Sequence, residues 1–316
     1  MELGPRLRAL ATQTAGPDGS PLWVISLDAV EHVAEEMRLS RRQVEIAALQ
    51  EHVLPMRYLR SLGTVGWDGQ LALLQSTVGI VGAGGLGGWI IEGLARMGVG
   101  RLIIIDGDVF EENNLNRQAL CVEHGLGKPK VLLAQQRVAE VNAAVEVVAY
   151  QERVDEARMV QLLQGANVIV DALDALPTRL ELQRAARKLC VPLVHGAIAG
   201  YVGQVMTIFP DDPGLLELYG GDQVPEHGIE AQWGNPAATP MMIAAWEIQE
   251  VVKLLTGRGK PLRRRLLFLD GELGHVDVLE VSVHERRSLR LPTSRVTSMF
   301  RESHLTTPTD SPHGWQ

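Results

Sequence analysis

Residues 77–87, TVGIVGAGGLG, decide how this chain is read. Val78–Val81 is a short apolar run rich in β-branched residues and bounded by glycine, which reads as a buried strand. Gly82, Gly84, Gly85 and Gly87 have no Cβ, so the backbone there can turn tightly and come close to a ligand. The next segment, Trp89–Met97, reads as a helix whose N-terminus faces that ligand. The unpaired N–H groups and the dipole of a helix start favour an anion. Arg101–Ile105, RLIII, is a second buried strand with Asp106 at its carboxyl end. Asp106 lies 24 residues after Gly82, a spacing at which an acid can accept hydrogen bonds from ribose hydroxyls. Strand, glycine turn, helix, strand and acid together describe a nucleotide site on an α/β chain. They do not separate a nicotinamide dehydrogenase from an enzyme that uses ATP.

The residues that follow do separate them. Asp108, Asn114, Arg117 and Gln118 come from DGDVFEENNLNRQ, and Lys130 from GKPK. Hydride transfer does not require two cations so soon after the ribose acid, whereas phosphates do. Arginine offers a planar fork to phosphate oxygens and lysine a compact charge. The stretch GIVGAGGLGG…IIDGDVFEENNLNRQ…GKPK resembles the ThiF/MoeB/HesA proteins, bacterial relatives of the ubiquitin-activating enzymes. The resemblance runs from about Met56 to about Val281.

That resemblance implies a Rossmann-like, doubly wound, mainly parallel sheet with antiparallel strands added in the C-terminal half. It implies an adenylyltransferase using ATP and Mg²⁺. Asp106 would hold the ribose. The backbone around Gly82, Gly84, Gly85 and Gly87, with Arg117 and Lys130, would hold phosphates. Asp108, Asn114 and Gln118 would support the nucleotide loop, and Asp174, beyond the strand Asn167–Val170, would be the Mg²⁺ carboxylate. Asp171 would brace that loop. Asp174 also reads as an N-cap for a helix starting near Thr178, and Arg179 as either a substrate contact or an ion-pair partner. In the family, an arginine of an R-Y-x-R segment reaches into the partner subunit's ATP site. Arg57 and Arg60 match that segment, with Arg60 as the finger, so a homodimer with shared sites is expected.

Two departures matter. Many relatives carry a structural zinc on two C-x-x-C pairs, but this chain has only Cys121 and Cys190, so no four-cysteine zinc site is expected. Many relatives also carry a cysteine in the crossover loop, and residues 210–239 contain none. The acceptor implied is the C-terminal glycine carboxylate of a small ubiquitin-like sulfur-carrier protein ending in Gly-Gly. Other acceptors stay open at this point: a peptide carboxylate or a carbamoyl-modified tRNA. So does a different use of the fold, as a nucleotide-binding oxidoreductase or a non-catalytic adaptor.

The composition fits. The chain has 316 residues, 46% of them apolar, with a net charge of −8. That is enough for a substantial core, and the acidic balance argues against a nucleic-acid surface. No apolar run is long enough to span a membrane, and MELGPRLRAL lacks a secretory core. Two cysteines fit a reducing cytoplasm. Residues 1–55 read as an N-terminal extension, 56–285 as the adenylylation domain and 286–316 as a disordered tail. Within the extension, LWVISLDAV reads as a strand, and SRRQVEIAALQEHV as a helix capped by Ser40. Gln70–Gln75 reads as a short helix. His195 is expected to be structural and Cys190 inert core. The long segment 210–239 is expected to cross over the groove that holds the partner protein's tail.

Overall fold

Alternate residues of a strand face opposite ways, and in the central strands of this chain both faces are apolar. Such strands need cover on both sides. The computed structural model describes residues 2–219, 224, 225, 228 and 230–281, and it supplies that cover.

From the N-terminus the chain forms α1 (Leu3–Leu10), β1 (Thr12–Ala15), β2 (Pro21–Ile25), α2 (Leu27–Met37), α3 (Arg41–Gln50) and β3 (Leu54–Pro55). A 3-10 turn, Met56–Tyr58, leads to α4 (Leu62–Gln75). Then come β4 (Thr77–Val81), α5 (Gly85–Met97), β5 (Arg101–Ile105), α6 (Lys130–Val141), β6 (Glu146–Tyr150), α7 (Glu156–Leu162), β7 (Val168–Asp171), α8 (Leu176–Lys188) and β8 (Leu193–Ala199). The described chain closes with β9 (Val202–Ile208), α9 (Leu215–Leu218), α10 (Glu230–Trp233), α11 (Ala238–Thr256), β10 (Arg265–Asp270) and β11 (His275–Glu280).

Among the described residues, eight strands form one sheet in the order β11-β10-β9-β8-β7-β4-β5-β6. The strands from β6 to β8 run parallel, and β9, β10 and β11 continue antiparallel. This is the doubly wound sheet with antiparallel additions that the sequence implies. Val78, Ile80, Leu102, Ile104, Val168 and Val170 pack on one face with α5, α6 and α11. Val81, Ile103, Ile105 and Ile169 pack on the other with α7 and α8. The chain order reverses between β4 and its two neighbours, β5 and β7. In open α/β sheets, ligands bind outside the carboxyl ends of the strands at such a switch point.

The N-terminal extension is more ordered than its sequence suggests. β1, β2 and β3 make a small second sheet, and α1, α2 and α3 bury Leu7, Val30, Val33 and Val44 against Ile25. Only the first part of LWVISLDAV is strand. Ser26 accepts a hydrogen bond from the Ala29 N–H and starts α2, so the rest of that segment is helix. Ser40 caps α3 as expected, in a capping box with Gln43. The helix at Gln70–Gln75 is the end of a longer one that kinks at Gly66.

Three local expectations are overturned. The helix after the glycine turn starts at Gly85 rather than Trp89, because glycines at a helix start fill no space that the first turn needs. α8 starts at Leu176 with Ala175 as its N-cap and no side-chain cap bond, so Asp174 does not cap it. Cys190 is exposed with a left-handed φ of 57°, past the end of α8 rather than in the core. Residues 282–316 lie outside the described residues, and with them the expected tail. The expected groove-crossing segment falls partly there as well, since 220–223, 226, 227 and 229 are also outside.

Candidate active site

The site is built where β4, β5 and β7 end. β4 runs straight into Gly82, whose N–H donates to the Ile105 carbonyl at 2.8 Å. Gly82 has a φ of 99°, and a Cβ there would lie 2.3 Å from the Ala172 carbonyl oxygen. A Cβ on Gly87 would lie 2.0 Å from the Gly82 carbonyl oxygen. The two glycines therefore let the turn, the first turn of α5 and the loop after β7 come together. By contrast, a Cβ on Gly85 would meet only Pro240, at 3.8 Å. The start of α5 is open there, and no side chain caps its N–H groups.

Asp106 holds the turn to β5. One carboxylate oxygen accepts from the Ala83 N–H at 2.7 Å and the other from the Asp108 N–H at 2.8 Å. Burial pushes its pKa up, opposed by Lys130 and those two backbone donors. Each oxygen keeps a second lone pair, as an acceptor for ribose hydroxyls requires. Lys130 begins α6, is buried and pairs with Asp108 at 3.2 Å. Arg153 pairs with the other oxygen of Asp108 at 3.2 Å. Burial would raise the Asp108 carboxyl, but Lys130 and Arg153 outweigh it and hold the group below its usual value.

The loop between β5 and α6 carries the remaining polar candidates. Asn114 is buried; its Oδ1 accepts from the Glu111 N–H at 3.1 Å and its Nδ2 donates to Asn113 Oδ1. It shapes the 3-10 turn Glu112–Asn114. Arg117 donates to Asn113 O and Asn116 Oδ1, each at 2.8 Å, and Trp89 Nε1 on α5 donates to its carbonyl at 3.3 Å. Gln118 is buried, and its Oε1 has no hydrogen-bond partner among the described residues. Its amide would face a Cβ on Gly84 at 3.7–3.8 Å, so an unpaired polar group lies beside the glycine turn. Such an atom is expected where a ligand supplies the missing bond.

The loop after β7 holds Asp174. It is exposed and makes no hydrogen bond or ion pair with another described residue. Leu173 just before it is braced at both backbone groups. Its N–H donates to Asp171 Oδ1 at 3.1 Å, and its carbonyl accepts from Arg179 Nη2. Arg179 also donates to the Gly196 carbonyl at 3.0 Å, so this buried side chain bonds to backbone carbonyls, with Asp171 and Glu247 within its electrostatic reach. His195 Nδ1 donates to Asp171 Oδ2 at 2.7 Å, with both side chains fully buried. Burial lowers the His195 pKa against the pull of Asp171, so the ring is neutral. Burial would raise the Asp171 pKa, yet Arg179 and His195 hold it low.

Glu247 on α11, unnoticed in the sequence, sits against this group. It is fully buried, and neither oxygen has a partner among the described residues. A Cβ on Gly196 would lie 2.4 Å from its carboxyl carbon. Burial and the nearby Asp171 push its pKa well up, which keeps the group protonated. Glu247 and Glu250 in the apolar run PMMIAAWEIQEVVKLLTG were a readable signal, since acids in an apolar helix must be paired or neutral.

The structure thus brings Gly82, Gly84, Gly85, Gly87, Asp106, Asp108, Gln118, Lys130 and the Asp174 loop to one end of the sheet. Arg60 lies elsewhere. It is exposed, in the turn before α4, two residues after Tyr58. Tyr58 packs on Gly98 at the opposite end of α5 from Gly85. A helix of that length spans about 20 Å.

Metal and ATP fit these residues. Among the described residues no cluster of three or more His, Cys, Asp or Glu could hold a metal ion. Mg²⁺ needs no such cage: one or two carboxylates, substrate phosphates and water suffice. Asp174 is a free carboxylate at the strand end where such a site would form.

Comparison with known proteins gives the same picture. The ThiF family profile matches residues 57–289. A SAMP-activating enzyme E1 from Haloferax volcanii is 37% identical over 237 residues, 74% of this chain and 84% of that protein. A sulfur carrier protein adenylyltransferase from Thermus thermophilus is 35% identical, covering 68% of this chain and 82% of its own length. The chain spans about half the length of the adenylyltransferase and sulfurtransferase MOCS3 relatives it matches. Among solved structures, PaaA superposes with a TM-score of 0.60 at 24% identity, over 72% of this chain and 82% of its own. Escherichia coli MccB bound to ATP superposes with a TM-score of 0.60 at 18% identity, over 80% and 82%. These two likenesses speak to the fold.

Proposed function

The chain belongs to the ThiF family, and from that premise we propose that it is an ATP-dependent adenylyltransferase acting on the C-terminal carboxylate of a small ubiquitin-like sulfur-carrier protein. The observation that carries this reading is the meeting of the glycine turn, Asp106, Lys130 and the free Asp174 at the carboxyl ends of β4, β5 and β7. The sulfur-carrier acceptor rests on the relatives' names, with a Gly-Gly terminus as the expected form.

An acceptor carboxylate oxygen bonds to the α-phosphorus of ATP, the bond to the β-phosphate oxygen breaks, and pyrophosphate leaves with its electron pair. No covalent bond to the enzyme forms, so the protein's part is alignment and charge neutralisation. Asp106 orients the ribose. The open N–H groups at the start of α5 and the Gln118 amide line the phosphate path. Lys130 exchanges Asp108 for phosphate, and Asp108 and Arg153 keep that end of the loop in place. Arg117, held by the Asn113 carbonyl and Asn116 Oδ1, carries positive charge over the same loop. Mg²⁺ held at Asp174 would neutralise charge on the triphosphate.

The 20 Å scale of α5 between the Tyr58 end and the Gly85 end supports a finger that serves a neighbouring subunit. We therefore include a homodimer with Arg60 acting in trans. A cytoplasmic location is part of the same reading; among the described residues no helix is long and apolar enough to cross a membrane. The test is ATP–pyrophosphate exchange. Exchange stimulated by a small β-grasp protein ending in Gly-Gly supports the proposal. Exchange that responds only to a peptide or to tRNA moves the acceptor, and NAD(H) binding without ATP turnover removes the adenylyltransferase reading.

A further inference from the structure

The N-terminal extension lies outside the family match, which begins at residue 57. Its one deeply buried charged side chain among the described residues is Glu45 on α3, 1% exposed. Each oxygen of Glu45 faces the segment that leads to Arg60. Tyr58 Oη donates to Oε2 at 2.9 Å, and Arg57 Nε lies 3.4 Å from Oε1. The contacts continue into the core. Asn142 Nδ2 donates to Tyr58 Oη at 3.1 Å and to the Ala95 carbonyl at 3.0 Å, and Arg57 Nη1 reaches the Val141 carbonyl at 3.5 Å. Tyr58 is itself fully buried. Its ring occupies the space a Cβ on Gly98 would need. Its carbonyl accepts from the Ser61 N–H and the Ser61 Oγ, each at 3.1 Å, which closes the turn around Arg60.

A fully buried carboxyl is costly unless its partners compensate, and here its direct partners are two consecutive residues, Arg57 and Tyr58, with a smaller electrostatic contribution from Arg41. Arg60 follows with an exposed side chain free of any described partner. The arrangement is a fixed base with a free tip. We infer that Glu45 is a positioning residue: through Arg57 and Tyr58, the N-terminal extension sets the direction from which Arg60 enters the partner subunit's site. The inference rests on the reading of Arg60 as a finger that acts in trans. It gives the extension a task in catalysis that its sequence does not announce.

A positioning role and a merely structural one differ in which active site suffers. Glu45→Ala is expected to lower kcat for pyrophosphate exchange about tenfold, with KM for ATP within about twofold, because a misplaced finger loses an interaction made in the transition state. Glu45→Gln keeps an acceptor for Tyr58 and loses the charge facing Arg57; about a threefold loss is expected. Each variant is then co-expressed, under a different tag, with Asp174→Ala, and the mixed dimer is isolated. If Glu45 serves the partner's site, the site that contains an intact Asp174 also receives an intact finger, and the mixed dimer has about half the wild-type rate. If Glu45 acts only within its own chain, that same site carries the lesion, and Glu45→Ala gives about one-twentieth. The Arg60→Ala and Asp174→Ala pair serves as control. A control that recovers while the Glu45 pair does not would sink this inference and spare the shared site. A control with no activity overturns both. A folded Glu45→Ala protein with wild-type kcat also overturns it. Should that variant fail to fold, Glu45→Gln run through the same pairing decides, and an unchanged kcat counts against the inference.

Discussion

Asp174 is a carboxylate without a partner among the described residues at the end of a buried strand, while Asp171, three residues earlier, has both oxygens engaged. Asp171 binds His195 and the Leu173 N–H, and so fixes the backbone that presents Asp174. The two acids therefore respond differently to removal. On the proposed mechanism, Asp174→Ala would remove charge stabilisation around the leaving phosphates and leave the packing alone. We expect a loss in exchange of at least about 100-fold, roughly 2.7 kcal/mol, with an unchanged melting temperature. Near-normal exchange by a folded variant would take Asp174 out of the mechanism. Glu247 makes a prediction about pH. Its folded pKa lies well above the ordinary 4.5, so the folded chain keeps a proton that the unfolded chain releases. Above about pH 4.5 each further unit favours the unfolded state by about 1.4 kcal/mol until the folded group also ionises. Glu247→Gln cannot ionise. Its stability relative to wild type should rise as pH rises from about 4.5, read from urea midpoints across that range. Parallel wild-type and variant curves would mean that Glu247 is already charged in the folded protein.

At the scale of elements, the glycine turn and the loop after β7 act as one unit, because the Gly82 α-carbon faces the Ala172 carbonyl with no room between them. Gly82→Ala should cost about 2 kcal/mol or more from strain at positive φ and the clash, with exchange falling further than the stability loss accounts for. Calorimetry alongside exchange separates the two effects, and a variant with wild-type melting and rate would show that the loop shifts freely. Much of this was legible in the sequence. Val78–Val81, Gly82 and Asp106 follow rules of spacing and steric size that need no partner. Ser40 as a cap was legible for the same reason, since its partner Gln43 is three residues away. What was not legible depended on distant residues. LWVISLDAV turns from strand to helix at Ser26, and the strand half exists because it pairs with β1 and β3. Asp174 reads as a cap from local pattern, but α8 starts at Leu176 with Ala175 as its N-cap. Cys190 is exposed because α8 ends before it, and no local pattern marks that end. The compensation of Glu45 by Arg57 and Tyr58 crosses from the extension to the core, and spacing alone does not reveal it.

At the scale of the whole molecule, the proposed trans-acting finger, with Tyr58 at the far end of α5 from Gly85, requires a protein that works as a pair. Closed two-fold symmetry is the commonest way to share parts between two sites. Arg60→Ala and Asp174→Ala, each inactive alone, should give an isolated mixed dimer with one wholly wild-type site, and so about half the wild-type rate. No activity in that dimer, or a protein that is monomeric at working concentration, would exclude the shared site.

The strand order also governs when the site can exist during synthesis. β4 lies between β5, its neighbour in sequence, and β7, whose Val168 pairs with Val78. A chain still on the ribosome and shorter than Asp171 can form the β4–α5–β5 unit, glycine turn included. It lacks the strand that covers the other edge of β4 and the carbonyl of Ala172 that sits over Gly82. Contacts between residues so far apart in sequence form late, and until β7 arrives one edge of β4 is an unpaired strand open to other chains. On the proposed reading, the nucleotide site is therefore complete only once β7 has paired with β4 and brought the Ala172 carbonyl over Gly82.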